Sequence, residues 1–106
     1  MKNFFVNRVV DIWQVAKHCG VSVDFAFDRY YADVVNGESV ETNTDMPGYD
    51  FAAVKAEWDL LSEKDQNIAV ETYKDFVSAN YEKVCELWRE NDIEGIKALA
   101  AEYAAR

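Results

Sequence analysis

The sequence predicts an all-α fold: a single domain over residues 1–106, built as an irregular bundle of about five helices with one long polar loop at 36–49. Three observations predict it. Apolar residues recur every three or four positions along most of the chain, the period that gives a helix one buried face. Half of the 106 residues are hydrophobic and 14% are aromatic, enough for a core and too many for a disordered acidic segment. The single Pro and the four Gly fall between the periodic stretches or near their ends, where a chain turns.

The first helix is expected over residues 3–19. Phe5, Val9, Ile12, Ala16 and Cys19 share one face, widened by Val6, Val10 and Trp13. The β-branched residues leave a strand over Phe4–Val10 as the lesser alternative. Gly20 suits a left-handed helix end, and Ser22 suits the cap of a second helix, Val23–Val35, with Asp24 at its positive end. Val23, Phe27, Tyr30, Tyr31 and Val34 form its apolar face, and Asn36-Gly37 ends it. Residues 36–49 follow, with Gly37, Pro47 and Gly48 and the acids Glu38, Glu41 and Asp45 but no base. A loop of this length in a small domain is commonly functional, and a short hairpin is an alternative within it.

Asp50 is placed to cap a third helix, Phe51–Leu61, buried through Phe51, Val54, Trp58 and Leu61. The stretch Ser62–Glu90 then organises the chain. Ser62 with Asp65 has the form of a capping box, and Ala69, Tyr73, Phe76, Val77, Val84, Leu87 and Trp88 recur at helical spacing. This predicts one long helix or two end to end, weakest at Ser78-Ala79-Asn80, where Ser and Asn compete for backbone hydrogen bonds. Asn91 ends it, and Asp92 caps a last helix, Ile93–Ala105, packed through Ile96, Leu99, Ala100 and Tyr103.

Twenty acids against eleven bases give a net charge of −9. Such a balance disfavours direct binding to nucleic acid or to anionic membrane, and suits an encounter with a basic protein. No window approaches the roughly 20 apolar residues of a membrane span. Two cysteines, Cys19 and Cys85, and an N-terminus interrupted by Asn7, Arg8 and Asp11 point to a reduced, cytoplasmic protein.

Two groups of side chains are candidates for partner binding. On a continuous long helix, Glu71, Asp75, Ser78, Glu82 and Glu86 would lie along one line. Carboxylates in a row, roughly 6 Å apart, imitate a phosphate backbone, as in small acidic inhibitors of nucleic-acid enzymes. Lys74 and Arg89 stand at pairing distance from Glu71 and Glu86, so a solvated helix face is the competing explanation. The second group is Tyr31 and Tyr49 beside Glu38, Glu41 and Asp45. Adjacent Tyr30 and Tyr31 cannot both point inward, and exposed tyrosine beside acids has the composition of a protein interface.

Catalytic equipment is thin. His18 is the only histidine, its neighbour Cys19 points elsewhere on a helix, and no phosphate loop, HExxH or CxxC is present. No catalytic, cofactor or metal residue is assigned.

Residues Val15-Ala16-Lys17-His18-Cys19-Gly20-Val21-Ser22 resemble the start of a helix-turn-helix of the lac-repressor-like form. The resemblance covers residues 12–31 and implies a DNA-binding regulator. It departs from that pattern at Asp24 and Asp28, where a recognition helix meets phosphates, and at Arg29, where a buried aliphatic belongs. The sequence therefore favours a non-enzymatic acidic module. It would act as inhibitor or adaptor, docking on a basic, nucleic-acid-handling protein, as a nucleic-acid mimic of the kind a virus or mobile element encodes. The helix-turn-helix regulator is the alternative.

Overall fold

A computed structural model describes residues 2–39 and 48–106. The described residues are all-helical, without a strand, so the Phe4–Val10 strand is not seen, while most of the 36–49 loop and the hairpin alternative within it lie outside the described residues. The 3-10 turn Val6–Arg8 leads into six α-helices: α1 (Val9–Cys19), α2 (Val23–Asn36), α3 (Phe51–Asp59), α4 (Glu63–Ala79), α5 (Tyr81–Arg89) and α6 (Ile93–Ala104). Six replace the expected five because the stretch 62–90 breaks in two, at the expected weak point. Asn80 leaves helical geometry with φ −124°, and its Nδ2 donates to the Phe76 carbonyl at 2.9 Å.

The first helix also differs from expectation. Residues 2–5 form turns, and regular α-helix starts only at Val9. Phe4, Phe5 and Val6 are all buried, and three consecutive side chains cannot all face inward from one α-helical stripe. They lie in the turns 2–5 and at the start of the 3-10 segment, packed from more than one side. The Arg8 guanidinium then folds back over the Phe4 ring, 4.0 Å from its centre, and donates to the Phe4 carbonyl.

The chain gathers into two compact units, Met1–Val10 with Glu63–Arg106, and Asp11–Ser62. In the first, the 3-10 turn packs on α4 and α6, and α5 packs on both α4 and α6. Ala69, Tyr73, Phe76, Val77, Val84, Leu87, Ile96 and Ala100 are buried there, with Phe76 against Tyr103 at 5.1 Å. Asp92 caps α6 by accepting from the Gly95 N–H at 2.9 Å. In the second unit α2 packs on α3, burying Ala26, Phe27, Tyr30, Asp33 and Val34 of one helix and Phe51, Val54 and Trp58 of the other. Ser22 and Asp50 both cap as expected, accepting from the Phe25 and Ala53 N–H groups. Gly20 and Gly37 take the left-handed conformation after α1 and α2, with φ +65° and +75°.

Gly95 marks the tightest approach in the first unit. A Cβ there would stand 2.5 Å from the capping Oδ2 of Asp92 and 2.8 Å from Cδ2 of buried Leu87. Alanine in place of a helical glycine ordinarily stabilises by roughly 0.5–1 kcal/mol. Gly95→Ala is expected to do the reverse, costing about 1–3 kcal/mol through overpacking and a strained cap. Urea unfolding of the two proteins reads the sign directly.

Candidate functional site

The strongest local construction lies in Asp11–Ser62. Tyr49 sits just before α3, with its ring 4.7 Å from Phe51 and 6.1 Å from Tyr30. Its hydroxyl donates to Oδ2 of Asp11 at 2.7 Å and lies 2.7 Å from the hydroxyl of Tyr30. A phenol has one proton, and that of Tyr49 is committed to the carboxylate, so Tyr30 donates to Tyr49. The result is a directed chain, Tyr30 to Tyr49 to Asp11, joining α2, the residues before α3, and α1. Tyr30 is fully buried. Tyr49, expected to meet a partner, spends its hydroxyl and one ring face inside its own unit.

Tyr31 is half-buried beside fully buried Tyr30, as the geometry of adjacent helical residues requires. Its ring meets Trp58 edge-on at 5.9 Å and lies 6.1 Å from Phe27. Glu38 is exposed and lines, with Tyr49, Asp50 and Phe51, a depression of about 250 Å³. Glu41 and Asp45 lie outside the described residues. Of the second candidate group, then, the structure brings Glu38 and Tyr49 together and holds Tyr31 against the α2–α3 core.

The expected ridge of carboxylates does not run along one helix. Glu71 and Asp75 are exposed on α4, Glu82 and Glu86 on α5, and Asn80 interrupts the axis between the pairs. The break itself forms a shallow depression of about 590 Å³ lined by Ser78, Asn80, Tyr81, Glu82, Lys83 and Glu86. Lys83 lies 3.9 Å from Glu86, and Lys97 and Arg106 similarly face Glu94 and Glu102.

Charge is unevenly shared. Asp11–Ser62 holds ten acids against three bases, a net of −7. The other unit holds ten against eight, a net of −2. Acidity thus concentrates away from the α4–α5 ridge. Within Asp11–Ser62, Asp24, Asp28, Glu38, Asp50, Glu57 and Asp59 are exposed. Of its three bases, Lys55 pairs with Asp59, Arg29 is half-buried, and Lys17 is exposed with its ammonium 5.2 Å from the centre of the Trp13 ring.

Exposed large apolar side chains follow the same bias. Phe25, Val35 and Leu60 belong to Asp11–Ser62, and Tyr81 to the other unit. Sequence reasoning passed over Phe25 and Val35. Their signal was the helical wheel: both lie outside the arc of Ala26, Phe27, Tyr30, Asp33 and Val34. Asp33, fully buried, was also missed, although three-residue spacing from Tyr30 put it on the inner face.

The corner between α1 and α2 forms as the helix-turn-helix resemblance implies locally. Ala16 is buried, Gly20 turns, and Ser22 caps. The main packing partner of α2 is α3, however, and its outer N-terminal turn presents Asp24, Phe25 and Asp28. His18 is exposed beside half-buried Cys19, and no disulfide engages Cys19 or Cys85. Among the described residues no group of three or more His, Cys, Asp or Glu is placed to hold a metal ion, and no helix is long and apolar enough to cross a membrane. Compared with protein families, curated proteins and solved structures, the chain matches none.

Removing the Tyr49 hydroxyl leaves the buried Tyr30 proton without its acceptor. Tyr49→Phe is expected to destabilise by about 1–3 kcal/mol. Tyr103→Phe, which keeps its ring contact with Phe76, is expected to cost less than half as much. Thermal unfolding of both variants checks the difference.

Proposed function

We propose that this chain is a non-enzymatic, cytoplasmic binding protein, a single all-α domain that docks on a basic protein as inhibitor or adaptor. The observation that carries this reading is the segregation of charge. Seven of the nine net negative charges fall in Asp11–Ser62, where exposed carboxylates far outnumber available cations. Exposed charges separated by less than about 10 Å reinforce one another at moderate salt, so an uncompensated patch steers a cationic surface toward it. A nucleic-acid-handling protein supplies such a surface, and carboxylates in place of phosphates would make this chain a mimic of its substrate.

The α4–α5 carboxylates Glu71, Asp75, Glu82 and Glu86 contribute less in this reading. Their unit is nearly balanced, and exposed pairs such as Lys83–Glu86 cancel much of the field at a distance. Glu38 stays within the proposed surface, and Tyr49 supports it from below.

The protein is expected to pass unretained over heparin and duplex DNA at low salt, and to capture basic proteins from a lysate. Reversing Asp24, Asp28 and Glu57 to Lys is expected to weaken that capture at least about tenfold. Reversing Glu71, Asp75 and Glu82 is expected to change it less than threefold. Quantitative mass spectrometry of the captured fraction reads both. Retention on duplex DNA, lost on reversal of Lys17 and Arg29, would instead make this a helix-turn-helix regulator.

A further inference from the structure

The outer side of α2 is more specific than a field of charge. Around the helix axis, Ala26, Phe27, Tyr30, Asp33 and Val34 fill one arc and are buried. Asp24, Phe25, Asp28, Val35 and Asn36 occupy the opposite arc and are exposed. Phe25 retains 51% of its surface and Val35 41%, so both apolar side chains are open to a partner on this arc. The steps Phe25, Asp28, Ala32, Val35 follow the three–four spacing that keeps residues in one line. Two apolar side chains thus stand about 15 Å apart, with carboxylates beside and between them. Arg29 is half-buried at the edge of this arc, and no Lys or Arg lies within it.

We infer that this face of α2 is a docking site for a basic amphipathic helix. The inference rests on the acidic-binding reading above and names the recognised element. Charge complementarity chooses the occupant. Asp24 and Asp28, one helical turn apart, form a pair of anions that a Lys or Arg ammonium or guanidinium bridges. Phe25 and Val35 need apolar partners at the same spacing along the opposing helix, and helix-on-helix packing supplies them. A second copy of this chain fits poorly, because two such faces bring four carboxylates, Asp24 and Asp28 from each copy, into one interface with no base on either arc. An extended, uniformly cationic segment would meet the carboxylates and leave both apolar side chains unused.

Two synthetic peptides of equal charge, roughly 14 residues long, separate the possibilities. One places Leu at three- and four-residue steps among Lys so that the leucines share a helical face, and the other replaces each Leu with Gly. Calorimetric titration into the intact protein is expected to show the amphipathic peptide binding at least about tenfold more tightly. Phe25→Ser and Val35→Ser are each expected to weaken it roughly tenfold, with little effect on the Gly peptide. Both sites are exposed, so both variants are expected to fold, and circular dichroism with thermal unfolding confirms it. Equal affinity for the two peptides, or indifference to the Ser variants, overturns the docking site. If binding then still falls on reversal of Asp24 and Asp28, the acidic-binding reading survives without it. If neither peptide binds, both readings fall.

Discussion

The relay of hydroxyls from Tyr30 through Tyr49 to Asp11 is the constraint on which the acidic unit depends. A buried phenol without an acceptor is costly, and the half-buried Asp11 carboxylate supplies an acceptor at the end of the relay. One arrangement results: Tyr30 gives its proton to Tyr49, and Tyr49 gives its own to Asp11. The consequences spread along the chain. Tyr49 precedes Asp50, the cap of α3, and Phe51, whose ring stands 5.8 Å from that of Tyr30. Fixing one hydroxyl therefore fixes where α3 begins and how its first turn meets α2. With the inner face of α2 committed in this way, the opposite arc is left to water. The exposure of Phe25 and Val35 follows from what holds Tyr30 inside.

The other unit is held differently. Its cohesion comes from close approach and tight helix ends. Asn91, with φ +60°, turns the chain after α5 while the Asp92 N–H reaches back to the Leu87 carbonyl at 2.9 Å. The same Leu87 then presses on Gly95, where the contact leaves no room for a Cβ. Asparagine adopts the left-handed conformation more readily than other residues with a Cβ, and this is where the chain uses it. Asn3 ties the N-terminal turns to α6 by donating to the Ala104 carbonyl. Tyr73, Phe76 and Tyr103 pack their rings together at its centre.

Local signals made most of this legible in the sequence. Ser22, Asp50 and Asp92 cap where their hydrogen-bonding chemistry puts them, and Gly20, Gly37 and Asn91 mark helix ends. All four residues expected to bury α3, Phe51, Val54, Trp58 and Leu61, are buried. What was illegible depended on residues distant in sequence. Three adjacent apolar residues at Phe4–Val6 look like the start of the first helix, yet residues 2–5 are turns and regular helix begins only at Val9, with all three side chains buried. Tyr49 looks like an exposed loop tyrosine until Asp11, 38 positions away, claims its proton. Asp33 reads as an ordinary polar residue because periodicity weighs apolar residues and lets an inward carboxylate pass.

The same distinction governs where the acidic surface lies. Counting charge along the chain draws the eye to α4 and α5, because acids at helical spacing look like a row. A field depends on what stands beside each carboxylate, and on these helices Lys64, Lys74, Lys83 and Arg89 are interleaved with the acids. Once Asn80 breaks the axis, the row loses its straightness as well. In Asp11–Ser62 the reverse holds: cations are few, and Lys55 is already paired with Asp59. A surface that attracts a basic partner is defined less by where acids are dense than by where bases are missing. On α2 the exposed arc holds Asp24 and Asp28 without a base, beside two apolar side chains turned outward, which is why the proposed docking site falls on this helix rather than on the long acidic stretch.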